Sequence, residues 1–344
     1  MSDPRSICLL RLSAIGDCCH ALAVVRTLQK HLPKTALTWV IGRTEASLMS
    51  GLDGVELLVY DKTEGRGGRK ALSTALGDRE FDVLLNMHAS WRANLVSRVI
   101  RAKRRIGFDR SRARDSQWLF SDERIASQHR PHVIDGMFGF AEKVGVMHRE
   151  YDWRLPIDDT DYTFADQYSD KPLLVISPCS SERARNFRNW PVDRFVACAT
   201  AVSNRYGARV VVTGGGTDLE KSYAERIVAE VPDAVDLVGQ SSLKQLAALI
   251  SRSTAVLCPD SGPAHIGTAV GTPVVGLFAT SNPGRTGPSR DQQWIVDAYP
   301  QACEKFLSKS VDDVRWGQRV RHPEAMSLIS TEAVLEKLNA LFGQ

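Results

Sequence analysis

No uninterrupted apolar run in this chain approaches the roughly 20 residues that cross a bilayer. The opening MSDPRS puts an acid and a proline ahead of only a short apolar stretch. Neither a membrane-spanning helix nor an export signal is expected. Cysteine supplies no framework either. The seven present (Cys8, Cys18, Cys19, Cys179, Cys198, Cys258 and Cys303) contain no C-x-x-C pair and are irregularly spaced. That argues against a disulfide scaffold or a zinc knuckle and suits a reducing cytosol. Cys18 and Cys19 read as small buried packing residues rather than a reactive pair. Several catalytic signatures are missing as well. There is no G-x-x-x-x-G-K-[ST] and no G-x-S-x-G, and TGGGTD at 213–218 fails the dinucleotide pattern because Leu219 stands where a glycine is required. The histidines lack metal-ligand spacing, and no Asp-x-Asp pair falls in a strand-end loop, so no bound metal and no cofactor are expected.

What remains is an ordinary globular composition, 43% hydrophobic and 24% charged over 344 residues, long enough for two domains. The net charge of +4 is unevenly placed: residues 1–158 hold 25 Lys/Arg against 19 Asp/Glu, and the remainder holds 19 against 21. Residues 92–114 alone carry nine basic side chains and one acid, Asp109. Such a run reads either as a solvated helix face or as a surface for an anionic partner. Trp91 and Phe108 are its neighbouring aromatics, short of the interleaved stacking platform that single strands need, so nucleic acid is not the expected partner.

Apolar runs alternate with helical patterns along the chain, the signature of βα units and parallel sheets. Strands are predicted near 6–11, 36–41, 55–60, 81–86 and 104–108, followed by a helix at 131–146. The polar, proline-bearing stretch after it reads as a linker. A second series follows, with strands at 173–178, 209–215, 235–239, 254–259 and 274–279 and helices at 191–206, 217–231, 242–251 and 263–270. The expected organisation is one α/β domain over 1–158, another over 171–330, and a last helix near 331–342, capped by Thr331, that stays with the second domain or folds back on the first. Two such domains should face one another across a cleft.

Two strand ends carry chemistry. In LCPDSGPAHIGTAVGTPVVGLF (257–278) a buried strand empties into Asp260, Ser261 and Gly262 and a helix follows at once, so backbone N–H groups and a helix N-terminus point at an anion above the strand end. This reads as a diphosphate seat. The loop SPCSSERARNFRNWP (177–191) adds Ser180, Ser181, Arg183, Arg185 and Arg188 at another strand's carboxyl end, where hydroxyls and guanidinium groups suit phosphate. His265 reads as a phosphate contact or as a satisfied structural histidine. Near the N-terminus, Ser13, Ala14, Ile15 and Gly16 form a loop too small to block a ligand, ending on Asp17. From that segment alone Asp17 is as much a helix cap as a functional carboxylate.

Taken together, RLSAIGD-x-x-HALAVVRTL, RNFRNWP and PDSGPAHIGTAVGTPVVGLFATSNPGRTGP resemble, in order and over nearly the whole chain, the bacterial lipopolysaccharide heptosyltransferases of glycosyltransferase family 9. The resemblance implies the GT-B fold, two Rossmann-like domains with parallel sheets, and a metal-independent, inverting transfer from ADP-heptose to the Kdo/lipid A inner core. It implies that Asp17 is the base. It implies donor contacts from Ser180, Ser181, Arg188, Glu220, Asp260, Ser261, Gly262 and His265, with Arg188 in a place where the family commonly has lysine, and Glu220 near the nucleotide ribose. For the acidic acceptor it offers Ser13, Gly16, Lys62, Arg66, Arg69, Arg92 and Arg105, and for location the cytoplasmic face of the inner membrane, a peripheral attachment to an anionic surface. The alternative within the same architecture is another sugar nucleotide or another acceptor, glycan or protein, because no motif encodes the sugar.

Overall fold

The structure is a computed structural model, and it describes residues 3–181 and 185–343. The chain divides into two compact units, Met1–Pro156 and Ile157–Gln344. In the first, β1 (Ser6–Leu10), α1 (Ile15–His31), β2 (Ala36–Gly42), α2 (Arg43–Met49), β3 (Val55–Tyr60), α3 (Arg66–Leu76), β4 (Glu80–Asn86), α4 (Trp91–Ser97), β5 (Arg101–Gly107), β6 (Glu123–Arg124) and α5 (Val133–Lys143) follow one another. The six strands form one parallel sheet in the order β3-β2-β1-β4-β5-β6. Chain residues 7–10 on β1 are buried to 0% exposure. That is the mark of a central strand covered by helices on both faces, and it explains why β1 reads as a continuous apolar run rather than an alternating one.

The second unit repeats the plan with α6 (Asp159–Asp166), β7 (Leu173–Ile176), α7 (Val192–Tyr206), β8 (Arg209–Val212), α8 (Asp218–Glu230), β9 (Val235–Asp236), α9 (Leu243–Ser251), β10 (Ala255–Pro259), α10 (Gly262–Val270), β11 (Val274–Phe278), α11 (Pro283–Thr286), β12 (Val296–Asp297), α12 (Tyr299–Leu307) and α13 (Thr331–Phe342). Its parallel sheet runs β12-β11-β10-β7-β8-β9. Counted from each unit's own first strand, both orders are 3-2-1-4-5-6, the doubly wound arrangement of a Rossmann domain. In it the crossovers leave the first strand in opposite directions and open a crevice at the carboxyl ends of strands one and four. Those strands are β1 and β4 in the first unit and β7 and β10 in the second.

Two local expectations need correction. The stretch after residue 158 is not all irregular linker. Asp158 accepts from the Thr160 and Asp161 backbone N–H groups at 3.0 and 3.1 Å and so starts α6. That helix packs on α9, with Arg252 bonded to Asp166 at 2.7 Å and lying over the Tyr162 ring. The cap of α13 is Ser330, whose Oγ accepts from the Ala333 N–H at 3.2 Å, rather than Thr331. The buried face of α13, Val334, Leu338 and Leu341, joins the second unit's core, and Asn339 accepts from the Tyr206 hydroxyl of α7 at 2.9 Å. Among the described residues no helix is long and apolar enough to cross a membrane.

Candidate active site

The first unit's crevice is built on β1 and β4. Arg11 follows β1, is only 8% exposed, and forms an ion pair with Asp17 in the first turn of α1. Its Nη1 also donates to the Met87 carbonyl at 2.6 Å, just past the end of β4. A buried guanidinium held by a neighbouring strand therefore fixes the carboxylate from one side. The Asp17 side chain keeps 34% exposure on the other. Its Oδ2 also accepts weakly from the Ala14 N–H at 3.4 Å, so Asp17 helps to start α1. His88, two residues beyond β4, completes the group. Its Nδ1 accepts from the Leu12 N–H at 3.2 Å, which leaves the proton on Nε2. Burial, reinforced by Arg11, pulls the His88 pKa down to about 3, so the ring is a neutral N–H donor at physiological pH. Cys18 and Cys19 are buried, and burial pushes their thiols up, Cys19 to about 12, so they pack rather than react.

A cavity of about 490 Å³ opens beside this group, and Ser13, His88, Lys62, Arg43, Arg92 and Trp91 are among its walls. Ser13, Lys62 and Arg92, three of the residues expected to meet the acceptor, are thus brought together. Asp61 and Glu45 also line it, and burial pushes the Glu45 carboxyl up. Arg43 pairs with Asp61 at 2.6 Å, so the wall mixes signs. Gly16 lies in the first turn of α1, and Arg66 and Arg69 lie on α3; none of the three lines the cavity. Arg105 does not line the cavity either. Its guanidinium donates to the carbonyls of Ser97, the last residue of α4, and Ile100 just beyond it. Most of the basic run is similarly engaged: Arg101 with Asp78, Lys103 with Asp82, Arg104 with Glu123, and Arg112 with Asp109.

The second unit's crevice has different contents. β10 delivers Asp260, 7% exposed, whose Oδ2 accepts from the Ser281 hydroxyl at 2.7 Å, while Arg188 donates to the Asp260 carbonyl at 2.8 Å and lies 3.8 Å from its carboxylate. Ser261 is the N-cap of α10, yet its hydroxyl donates back to the Pro259 carbonyl at 3.1 Å and caps no N–H. The helix therefore starts with backbone N–H groups and its positive dipole end unmasked by a side chain, with Gly262 first and Pro263 next. His265 is buried one turn in. Ser180 is buried too. Its N–H and Oγ donate to Asn189 at 2.9 and 3.1 Å, and it accepts from Asn186 Nδ2 at 2.7 Å. The same Asn186 accepts from Arg188 Nε at 3.0 Å. Two asparagines thus set the loop that aims Arg188, and Ser181 stays exposed on it. Arg183 lies outside the described residues.

Glu220 belongs to a capping box with Thr217: its Oε2 accepts from the Thr217 N–H at 2.9 Å, and Thr217 Oγ1 accepts from the Glu220 N–H at 3.3 Å. A Cβ on Gly214 would lie 3.0 Å from its carboxyl carbon, so the glycine loop lets that carboxylate sit directly over the end of β8. Sequence reasoning passed over Arg11, His88, Asn186, Asn189 and Ser281. The signal available for His88 was its place two residues past a predicted strand, which matters only once β4 is known to lie beside β1.

The family model described as glycosyltransferase family 9 (heptosyltransferase) covers residues 69–312. The lipopolysaccharide core heptosyltransferase OpsX of Haemophilus influenzae is 40% identical over 341 residues, 98% of this chain and 97% of its own. Among solved structures, the glycosyl transferase family 9 protein of Veillonella parvula superposes with a TM-score of 0.79 at 22% identity, covering 99% of this chain and 97% of that one. Escherichia coli heptosyltransferase WaaC, solved with ADP, gives 0.75 at 15% identity over 98% and 99% of the two chains. These structures share the fold, the pair of Rossmann-like units called GT-B. On the family model and the OpsX likeness together, the chain belongs to glycosyltransferase family 9, the heptosyltransferase family.

Proposed function

We propose that this enzyme moves heptose from ADP-heptose to the Kdo/lipid A inner core of lipopolysaccharide, inverting the anomeric centre without a metal. The observation that carries the reading is the contrast at the two crevices: an ion-paired, half-exposed carboxylate in one, and an unmasked helix N-terminus beside a buried Arg188–Asp260 contact in the other. In the proposed step Asp17 takes the proton from an acceptor hydroxyl as that oxygen bonds to the anomeric carbon. The bond from that carbon to the diphosphate oxygen breaks, and the leaving charge falls on Arg188 and on the N–H groups of Gly262 and Ala264. Arg11 serves Asp17 by orienting it. The neutral His88 Nε2–H and the hydroxyl of Ser13 suit acceptor oxygens, and Lys62 and Arg92 suit acceptor carboxylates or phosphates.

Asp260, with Ser281 fixing one oxygen, suits a sugar hydroxyl near the leaving group, and Glu220 suits the ribose. The N–H groups around Ser261 and Gly262 suit the diphosphate, with Ser180, Ser181 and His265 as the surrounding polar contacts. ADP binding to WaaC and the names of the relatives support the donor, and OpsX supports the acceptor. A location at the cytoplasmic face of the inner membrane follows from that acceptor. Calorimetric titration of ADP-heptose against UDP-sugars tests the donor: selective binding of ADP-heptose is expected, and tight binding of a UDP-sugar with none of ADP-heptose would overturn it. Mass spectrometry of core oligosaccharide from a deletion strain tests the acceptor, with the glycan expected to stop at the inner core.

A further inference from the structure

Between β5 and β6 the chain makes a turn whose construction the proposed chemistry does not use. Gln117 is fully buried; its Nε2 donates to the Asn86 carbonyl at 2.8 Å and its Oε1 accepts from the Phe108 N–H at 3.0 Å. The turn is thereby pinned to the sheet, and the two residues after the anchor are driven outward: Trp118 is 54% exposed and Leu119 is 57%. Asp115 and Ser116, just before it, hold left-handed backbone at φ 52° and 56°. Asp115 in turn accepts from the Trp91 N–H at 2.9 Å through Oδ2 and from Asn94 Nδ2 at 2.8 Å through its carbonyl.

The next residue, Phe120, ties this turn to α4. Its ring meets the Trp91 ring edge-on at 6.1 Å between centroids, and Trp91 is itself 54% exposed. The Arg98 guanidinium lies 5.2 Å over the Phe120 ring. Trp91 and Phe120 are thus in contact, and the exposed Trp118 and Leu119 stand in the same turn just before Phe120, the kind of apolar cluster that marks an interaction site. Charge sets the occupant's sign. Arg98 and Arg114 are exposed and, among the described residues, pair with no carboxylate, whereas most of their basic neighbours do. Trp91, Arg92 and Asp115 also line the first unit's cavity, so the surface is continuous with its rim.

We propose that Trp91, Trp118, Leu119, Arg98 and Arg114 form a docking surface for an anionic phospholipid bilayer, placing the rim of the first unit's cavity at the lipid headgroups. Indole rings favour the headgroup region, a leucine between them reaches the acyl boundary, and unpaired arginines gain from anionic lipid. The proposal deepens the function proposed above and rests on it for the acceptor being lipid-borne.

Flotation of the full chain with vesicles of phosphatidylcholine, alone or mixed with phosphatidylglycerol, tests it. Binding is expected only to the anionic mixture. R98Q/R114Q should lower partitioning about 25-fold, at about fivefold per arginine. W118S/L119S should lower it about tenfold or more. Each variant is then assayed on the vesicle-embedded acceptor and on its deacylated, water-soluble form. Turnover should fall on the first and stay unchanged on the second. Wild-type binding by either variant would overturn the proposal, as would loss of turnover on the soluble acceptor, which would make the surface part of the acceptor site. A wild-type dimer in solution that W118S/L119S dissociates, with no vesicle binding, would assign the surface to a second copy and overturn it too. Absence of transfer to both acceptors by the wild type, with vesicle binding intact, would count against the proposed function and leave the surface standing.

Discussion

The two units share one strand order and differ in what they place at the same crevice. At the carboxyl ends of β1 and β4 the first unit sets an ion pair, a neutral histidine and a cavity of mixed charge. At the corresponding ends of β7 and β10 the second sets a buried aspartate bonded to Ser281, a guanidinium held by asparagine, and a helix start without a side-chain cap. Topology decides where a ligand sits, and a handful of strand-end side chains decides which ligand. The first set suits proton removal from a polyhydroxylated acid; the second suits holding a diphosphate.

Predictions that bear on this contrast run from the largest effect to the smallest. Asp17→Asn should cut kcat by about 10³-fold, within the range for loss of a general base. Steady-state transfer assays read this directly, and turnover within tenfold of wild type would move the base elsewhere. Arg188→Ala should weaken donor binding by about 10- to 100-fold, the magnitude of a hydrogen bond to a charged group, while the acceptor KM stays put. Arg188→Lys should recover part of it, since the charge returns without the fork.

Arg11→Met should reduce kcat less than Asp17→Asn does and leave ADP affinity unchanged, because Asp17 loses the guanidinium that orients it. Arg11→Lys should restore part of the lost kcat. A wild-type kcat in Arg11→Met, or a loss that Arg11→Lys does not recover, would remove Arg11 from that role.

The smallest effect concerns stability. The His88 pKa is depressed in the folded state to about 3, so between that value and its ordinary 6.5 the unfolded chain binds the extra proton. Stability that His88 leaves intact above pH 6.5 is therefore lost as pH falls toward 3. At pH 5 the loss is about 2 kcal/mol relative to neutral pH. Urea unfolding of wild type and His88→Gln at pH 7 and pH 5 should show the variant losing less over that interval, and equal losses would contradict a buried neutral ring.

The sheet strands were legible in the sequence where burial on both faces made them continuous apolar runs, as in β1, β7, β10 and β11. Among the two-residue strands β9 was read, at 235–239, whereas β6 and β12 were not. α6 was hidden by its acidic composition, although the Asp158-x-x-Asp161 box that begins it was present to be read. In the site, Asp17 and Asp260 stood out because small residues and a helix start surround them. Arg11 did not, because its partner lies six residues on and its second anchor, Met87, comes from a strand 76 residues away. For a similar reason the charge of Arg105 was legible and its bonds to two backbone carbonyls were not.

The division of labour itself is tested most directly by titrating ADP calorimetrically into wild type, Asp17→Asn, Lys62→Ala and Arg188→Ala, with catalytic rates measured on the same preparations. The account predicts an unchanged ADP affinity in the two first-unit variants despite their lost transfer, and a weakened one in Arg188→Ala. Loss of ADP affinity in Asp17→Asn or Lys62→Ala, with Arg188→Ala binding as wild type, would contradict it.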